Sequence, residues 1–215
     1  YKMLIPTVTY DNFFKDPNLI LDYAKSLEYK EPPKGIYPGA RTEALHTLNN
    51  NLFLEVTSKI LKLLWPTTHS KINFNAQCYF QRIPKNFKNE GWVHQDHGLI
   101  SSIIYLSPHK NCGTSIFEPK NTNYWKHTKM KRETYVTKAF DNEEKYVKEN
   151  NSNFEETIHV KSRYNRIIIF DAQSYHAAQR FCEEGIEEDR LILVTFFMEM
   201  NGPGLSWHGP ECNRT

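Results

Sequence analysis

Cysteine is scarce and scattered in this chain: Cys78, Cys112, Cys182 and Cys212 are the four thiols in 215 residues, with no CxxC pair among them. That spacing suits neither a disulfide framework nor a zinc ribbon, and it reads as reduced, core-type thiols in a cytoplasmic protein. No apolar run approaches the roughly 20 residues of a membrane-spanning helix. The first residues lack the charged, apolar, small-residue order of a secretory leader. A soluble protein without a membrane partner is therefore expected. Charge of one sign is also lacking. The 27 basic and 25 acidic residues leave a formal +2, which makes nucleic acid an unlikely partner without excluding a local basic patch. There is no internal repeat, and the Asn-rich patches at 49–51 and 150–153 are the nearest thing to low complexity.

Aromatic residues are plentiful: 13 Phe, 12 Tyr and 4 Trp offer far more burial than a disordered chain carries. The length suits one domain, residues 1–215, with a sizeable core. Residues 3–9 read as a short strand. Asp16-Pro17 supplies a helix N-cap followed by proline at the first helical position, and Ile20, Leu21, Tyr23, Ala24 and Leu27 give that helix an apolar side. Leu52, Val56, Ile60 and Leu63 recur at helical spacing up to Pro66, which stops the helix. Tyr37-Pro38-Gly39-Ala40-Arg41 reads as a turn between the two helices.

From residue 70 the texture changes to strands. Residues 72–82 alternate, with Ile72, Phe74, Ala76, Cys78 and Phe80 on one face and Asn73, Asn75, Gln77, Tyr79 and Gln81 on the other. Further strands are expected at 101–106, 114–117, 157–160, 166–170 and 190–198. Many strands with few helices between them predict a mainly β, α+β chain with a sandwich or barrel-like core. Residues 1–70 would be its helical support, 71–200 the core and 201–215 a tail. An insertion at about 120–155 interrupts the strands; its 120–138 part has six basic residues against one acid, and 141–156 has six acids against two bases. It is long for a structureless loop, so a helix of its own or a binding role is expected.

The chemistry concentrates in Gly91-Trp92-Val93-His94-Gln95-Asp96-His97-Gly98. In an extended backbone, residues two apart point to the same side, so His94 and Asp96 can grip one ion while His97 points away. An imidazole and a carboxylate, completed by a second imidazole from elsewhere, form the facial triad of non-haem Fe(II) oxygenases. Alone, a His-x-Asp pair is a weak signal. The later order strengthens it: an apolar strand at 166–171 leads through a short polar turn to Tyr175-His176. Fourteen residues on, Arg190 opens the apolar run 191–197. An arginine at the head of such a strand is expensive to bury without an anion, and its guanidinium suits two-pronged binding of a carboxylate.

At these residues the chain resembles the 2-oxoglutarate- and Fe(II)-dependent dioxygenases, specifically their prolyl-hydroxylase-like branch. Ser102–Ser107 followed by Cys112–Phe117 is similar to that branch's "YYLN … GG…F" region, and His176-Ala177-Ala178-Gln179 is similar to its "H-x-V-Q" segment. The likeness covers about residues 72–198. It implies a double-stranded β-helix core of the jelly-roll or cupin-like kind. It implies Fe(II) held by the catalytic set His94, Asp96 and His176, and 2-oxoglutarate chelating that iron. The far carboxylate of 2-oxoglutarate would meet Arg190 and the hydroxyl of Tyr105. O2 and 2-oxoglutarate would be consumed, giving succinate and a hydroxylated C–H bond of a peptidyl (prolyl) or amino-acid substrate, with ascorbate as a possible stimulant. Halogenating members lack the carboxylate that Asp96 provides, so hydroxylation is favoured. Cys112-Gly113 stands where the family has Gly-Gly, and the 120–155 insertion has no counterpart, so substrate identity is not carried over. Tyr79 on the polar face of its strand is a candidate for 2-oxoglutarate or substrate, Arg41 is a candidate for the mouth of the site, and Trp92, Tyr124 and Trp125 are candidates to line a substrate groove. His208 and Cys212 lack further ligands for a zinc site. Two alternatives stay open: a nucleic-acid oxidative demethylase using the basic 120–138 stretch, and a non-catalytic β-helix binding module.

Overall fold

Two antiparallel sheets face each other across an interior into which alternate side chains project. The computed structural model describes residues 5–32, 37–87, 91–121 and 143–205. In chain order the elements are β1 (Val8–Tyr10), α1 (Pro17–Ser26), β2 (Ala40–Arg41), α2 (Leu45–Leu48), α3 (Asn50–Leu64), β3 (Asn73–Ile83), β4 (Ile100–Tyr105), β5 (Thr114–Pro119), α4 (Glu143–Asn151), β6 (Phe154–Val160), β7 (Ile167–Asp171), β8 (Tyr175–Ala178) and β9 (Arg190–Asn201). The main sheet runs β1-β7-β4-β9-β3-β2 and the minor sheet β6-β5-β8. His94 extends the minor sheet past β8 through an isolated antiparallel bridge to His176.

The outer face of the main sheet is dry because the helices cover it. Cys78 and Phe80 of β3, Ile104 of β4 and Leu193 and Phe197 of β9 pack with Leu52, Val56, Ile60 and Leu61 of α3 in one buried cluster. The helix exists for local reasons as well: the Asn49 side chain caps the Leu52 amide at 3.0 Å, and Pro66 forbids continuation. The expected first strand is shorter than residues 3–9. β1 begins at Val8, because the pairing with Ile167–Ile169 of β7 covers those three residues alone; residues 1–4 lie outside the described residues. Ala40–Arg41, expected within a turn, form a two-residue strand on β3. The insertion does carry a helix, α4; its 122–142 part lies outside the described residues, as do Tyr124, Trp125, His208 and Cys212.

One tertiary clamp ties the N-terminal segment to the turn before β7. Asn165 adopts φ 62°, and its side chain accepts from the Phe14 amide and donates to the Phe14 carbonyl, both at 2.8 Å. Asn165→Ala should destabilise the fold by about 2–3 kcal/mol, since two buried backbone groups lose partners and alanine disfavours positive φ. Urea denaturation checks this; a loss under about 0.5 kcal/mol would show that the clamp contributes little.

The inner face of the main sheet carries the functional alternation. Register aligns Arg41, Gln81, Ile192 and Tyr105 in one row, Tyr79, Val194, Ile103 and Ile168 in the next, and Gln77, Phe196, Ser101 and Phe170 beyond. Tyr105, Ile168, Phe170, Ile192 and Val194 meet Ile116 and Val160 of the minor sheet there.

Candidate active site

Backbone pairing brings the two expected histidines together before any side chain acts. The His94 amide donates to the His176 carbonyl at 3.0 Å, and the His176 amide returns the bond at 2.9 Å. The Asp96 amide donates to the Ala172 carbonyl at 2.8 Å, and the Gln173 side chain donates to the Asp96 carbonyl at 2.9 Å. The His-x-Asp segment is thus knitted to the turn between β7 and β8. A Cβ on Gly91 would lie 1.9 Å from the Ala178 carbonyl oxygen, so glycine is what lets this segment approach β8 so closely. On its other side, Asn151 Oδ1 accepts from the Val93 amide, Asn150 Nδ2 donates to the Val93 carbonyl, and Asn151 Nδ2 donates to the Gly91 carbonyl, each at 2.9 Å. Two asparagine side chains at the end of α4 therefore stand in for a neighbouring strand.

His94, Asp96 and His176 offer ligand atoms that all lie within 4.8 Å of one another. His94 Nε2 is 3.5 Å and His176 Nε2 3.2 Å from the Asp96 carboxylate. Each Nδ1 faces a backbone carbonyl, Trp92 at 2.7 Å for His94 and Ser174 at 2.9 Å for His176. That contact puts the neutral ring's proton on Nδ1 and leaves the Nε2 lone pair for a metal. Ser101 donates to Asp96 Oδ2 at 2.7 Å. Against protonated rings the balance is electrostatic: burial by itself would raise the Asp96 carboxyl, but the charge and hydrogen bonds of His176, with His94 behind them, outweigh it and hold Asp96 well below the usual carboxylate range. Two imidazole nitrogens and one carboxylate oxygen gathered this closely are a donor set that suits Fe(II). His97 is exposed, as expected from alternation.

The other candidates fall into two groups. Arg190 is 2% exposed; its Nη2 donates to the Cys112 carbonyl at 2.9 Å, and no carboxylate pairs with it among the described residues. Its carbon lies 6.0 Å from the Tyr105 ring centre and 5.9 Å from that of Phe181. Burial lowers its pKa, yet a guanidinium does not give up its proton in proteins. The Tyr105 hydroxyl meets Thr114 Oγ1 at 2.8 Å. On β5, Ile116 pairs with His176 while Thr114 pairs with Ala178, so Thr114 sits about 7 Å along the strand from the His176 position. That interval is on the scale of a five-carbon diacid.

Tyr79 and Arg41 form the second group, and the structure places Tyr79 beside Arg41 rather than beside Arg190: the Arg41 guanidinium carbon is 5.7 Å from the Tyr79 ring centre. Trp92 stacks on His94, with ring centres 5.1 Å apart and planes at 21°. Tyr175-His176, expected after a short polar turn and with no strand assigned to them, lie on β8; four residues are too few to show a period, and the strand exists through its pairing with β5. Ser101, Thr114, Asn150 and Asn151 were absent from the sequence-based set. Alternation along β4 places Ser101 on the Tyr105 face and signals its role; nothing local signals the asparagines.

A family model described as "Family of unknown function (DUF6445)" matches residues 4–191. No curated protein sequence matches the chain. Among solved structures, the chain is similar to HygX from Streptomyces hygroscopicus, solved with nickel and 2-oxoglutarate bound, at 12% identity and a TM-score of 0.58 over 92% of this chain and 83% of that one. It is similar to an oxidoreductase of the 2OG-Fe(II) oxygenase family from Burkholderia pseudomallei at 11% identity and a TM-score of 0.53, covering 89% of this chain and 83% of the other. It is also similar to SnoN, a non-haem alpha-ketoglutarate-dependent epimerase from nogalamycin biosynthesis, at 11% identity and a TM-score of 0.53, covering 97% and 86%. At these identities the likeness is one of fold: the chain has the jelly-roll, cupin-like α+β architecture of 2-oxoglutarate/Fe(II) oxygenases. No helix among the described residues is long and apolar enough to cross a membrane.

Proposed function

The chain belongs to DUF6445, a family of unknown function, and we propose that it is an Fe(II)- and 2-oxoglutarate-dependent oxygenase that hydroxylates a C–H bond, with a peptidyl or amino-acid compound as the substrate class. The observation that carries this reading is a preformed His94–Asp96–His176 cluster, with each ring's Nδ1 against a backbone carbonyl and its Nε2 turned to the shared carboxylate, beside a buried Arg190 that lacks a carboxylate partner among the described residues. Bound there, iron would supply, with 2-oxoglutarate and O2, the oxidative decarboxylation to succinate and CO2 that drives hydroxylation.

Each residue has a distinct task. His94, Asp96 and His176 would hold the metal, and Ser101 fixes the carboxylate of Asp96. Arg190 takes the distal carboxylate of 2-oxoglutarate, with the hydroxyls of Tyr105 and Thr114 as its polar neighbours. Ile168, Phe170, Ile192 and Val194 keep water from the reacting centre. The test is release of succinate from 2-oxoglutarate under Fe(II), ascorbate and O2, with and without candidate substrates. Slow substrate-free turnover establishes the class. No iron-dependent succinate under any condition sinks the reading. The demethylase alternative rests on the 120–138 stretch, most of which lies outside the described residues, and no observation favours it.

The asparagine clamp yields a prediction of its own. Asn151→Ala removes the acceptor of the Val93 amide and the donor to the Gly91 carbonyl, loosening the segment that carries His94. Anaerobic Fe(II) titration should show metal affinity about tenfold lower, with unaltered 2-oxoglutarate contacts at Arg190. Unchanged iron affinity would assign the clamp to holding the insertion alone.

A further inference from the structure

The inner face of the main sheet holds a second guanidinium that the metal and cosubstrate contacts leave unused. Arg41 lies opposite Gln81; its Nε donates to Gln81 Oε1 at 2.9 Å, and Gln81 in turn donates to the Pro38 carbonyl at 2.8 Å. That chain of bonds fixes one edge of the guanidinium. Aromatic rings enclose it: the Tyr37 ring centre lies 3.9 Å from its carbon, Phe196 at 5.4 Å and Tyr79 at 5.7 Å. The cation–π contacts stabilise the charge. The Nη edge has no hydrogen bond or ion pair among the described residues. Such an edge is built for an oxyanion, because two parallel N–H donors match a carboxylate.

Position separates this group from Arg190. Among the described residues the two guanidiniums share no aromatic neighbour, since Arg190 stands by Tyr105 and Phe181. Arg41 faces the other way, toward the metal ligands: Phe196, against its side, pairs with Ser101 in the sheet, and Ser101 holds Asp96. The Arg41 and Asp96 charges also lie close enough to act on each other. A ligand on Arg41 would thus place the rest of its body near the triad, over the apolar rows of Val194, Ile103 and Phe196.

Resting on the oxygenase reading above, we propose that Arg41, in its cage of Tyr37, Tyr79 and Phe196, grips a carboxylate of the primary substrate, which is therefore an acid with an apolar or aromatic body. The uncharged counterpart of such an acid would pair poorly with the Nη donors of half-buried Arg41 and bind worse.

Benzoate and benzamide, equal in shape and different in charge, serve as probes. Protein loaded with Mn(II), a paramagnetic stand-in for iron, and saturated with 2-oxoglutarate is titrated with each, and proton relaxation of the probe reports binding near the metal. Saturable relaxation of benzoate is expected, with benzamide weaker by about tenfold or more. Arg41→Gln should lower benzoate affinity by a similar factor and keep 2-oxoglutarate affinity within about twofold, while Arg41→Lys recovers part of the loss. Equal binding of the two probes, or no saturable benzoate relaxation, overturns the proposal. So does a loss of 2-oxoglutarate affinity in Arg41→Gln, which would make Arg41 a cosubstrate ligand. Should Arg41→Gln lose its thermal transition, the benzoate-over-benzamide preference of the unaltered protein decides alone. Absence of succinate in the unaltered protein strikes the oxygenase reading, whereas failed probe discrimination with succinate present strikes only the role of Arg41.

Discussion

Replacing His176 by alanine should reduce iron-dependent conversion of 2-oxoglutarate to succinate to background while the protein stays folded. The His176 ring points its Nε2 at Asp96 from 3.2 Å and is only 6% exposed, so its loss removes a ligand from a site with no spare imidazole among the described residues. Exposed His97 cannot substitute from the opposite side of its segment. The fold tolerates the change because β8 is held by backbone bonds to β5 and to His94, none of which involves the ring. Anaerobic Fe(II) titration and succinate measurement, with circular dichroism as the control, check both halves. Retained succinate production in a folded His176→Ala protein would refute the ligand assignment.

Arg190→Met is expected to separate stability from function. In the ligand-free protein the guanidinium is buried with one carbonyl acceptor and no carboxylate among the described residues. Replacing an unpaired buried charge by an apolar chain of similar length is neutral or stabilising. With 2-oxoglutarate present the sign reverses. Removing one partner of a buried charge pair costs about 2–5 kcal/mol, equivalent to roughly 30-fold to several-thousand-fold in affinity. Thermal shift reads both at once: the unaltered protein should gain about 2.7 kcal/mol at a hundredfold excess of 2-oxoglutarate over its Kd, and Arg190→Met almost nothing, from an equal or higher starting point. A ligand-free Arg190→Met protein that melts far lower, with 2-oxoglutarate stabilisation intact, would make the arginine structural. Iron affinity should change less than cosubstrate affinity, because Arg190 touches none of the three ligands.

Legibility in the sequence followed the range of the interactions. The α3 helix, the inner and outer faces of β3, and the shared side of His94 and Asp96 were readable because periods of 3.6 and 2 are properties of neighbouring residues. Arg190 was readable because a cation heading an apolar strand conflicts with its own surroundings. The four-residue β8 was not readable as a strand, since cross-strand pairing sustains it. Residue type alone marked Trp92 for the site, and only packing shows that its ring lies against that of His94.

What the amino-acid order determined alone is the alternation that sets His94 and Asp96 on one side of their segment and turns Tyr79 and Tyr105 inward. What the tertiary structure decided is which distant partners complete them. Asn150 and Asn151 reach the His94 segment from some 60 residues downstream, and Phe196 meets Arg41 from the other end of the chain. The reason is physical: periodicity is local and additive, whereas a cage or a clamp depends on strands far apart in sequence being hydrogen-bonded in one register.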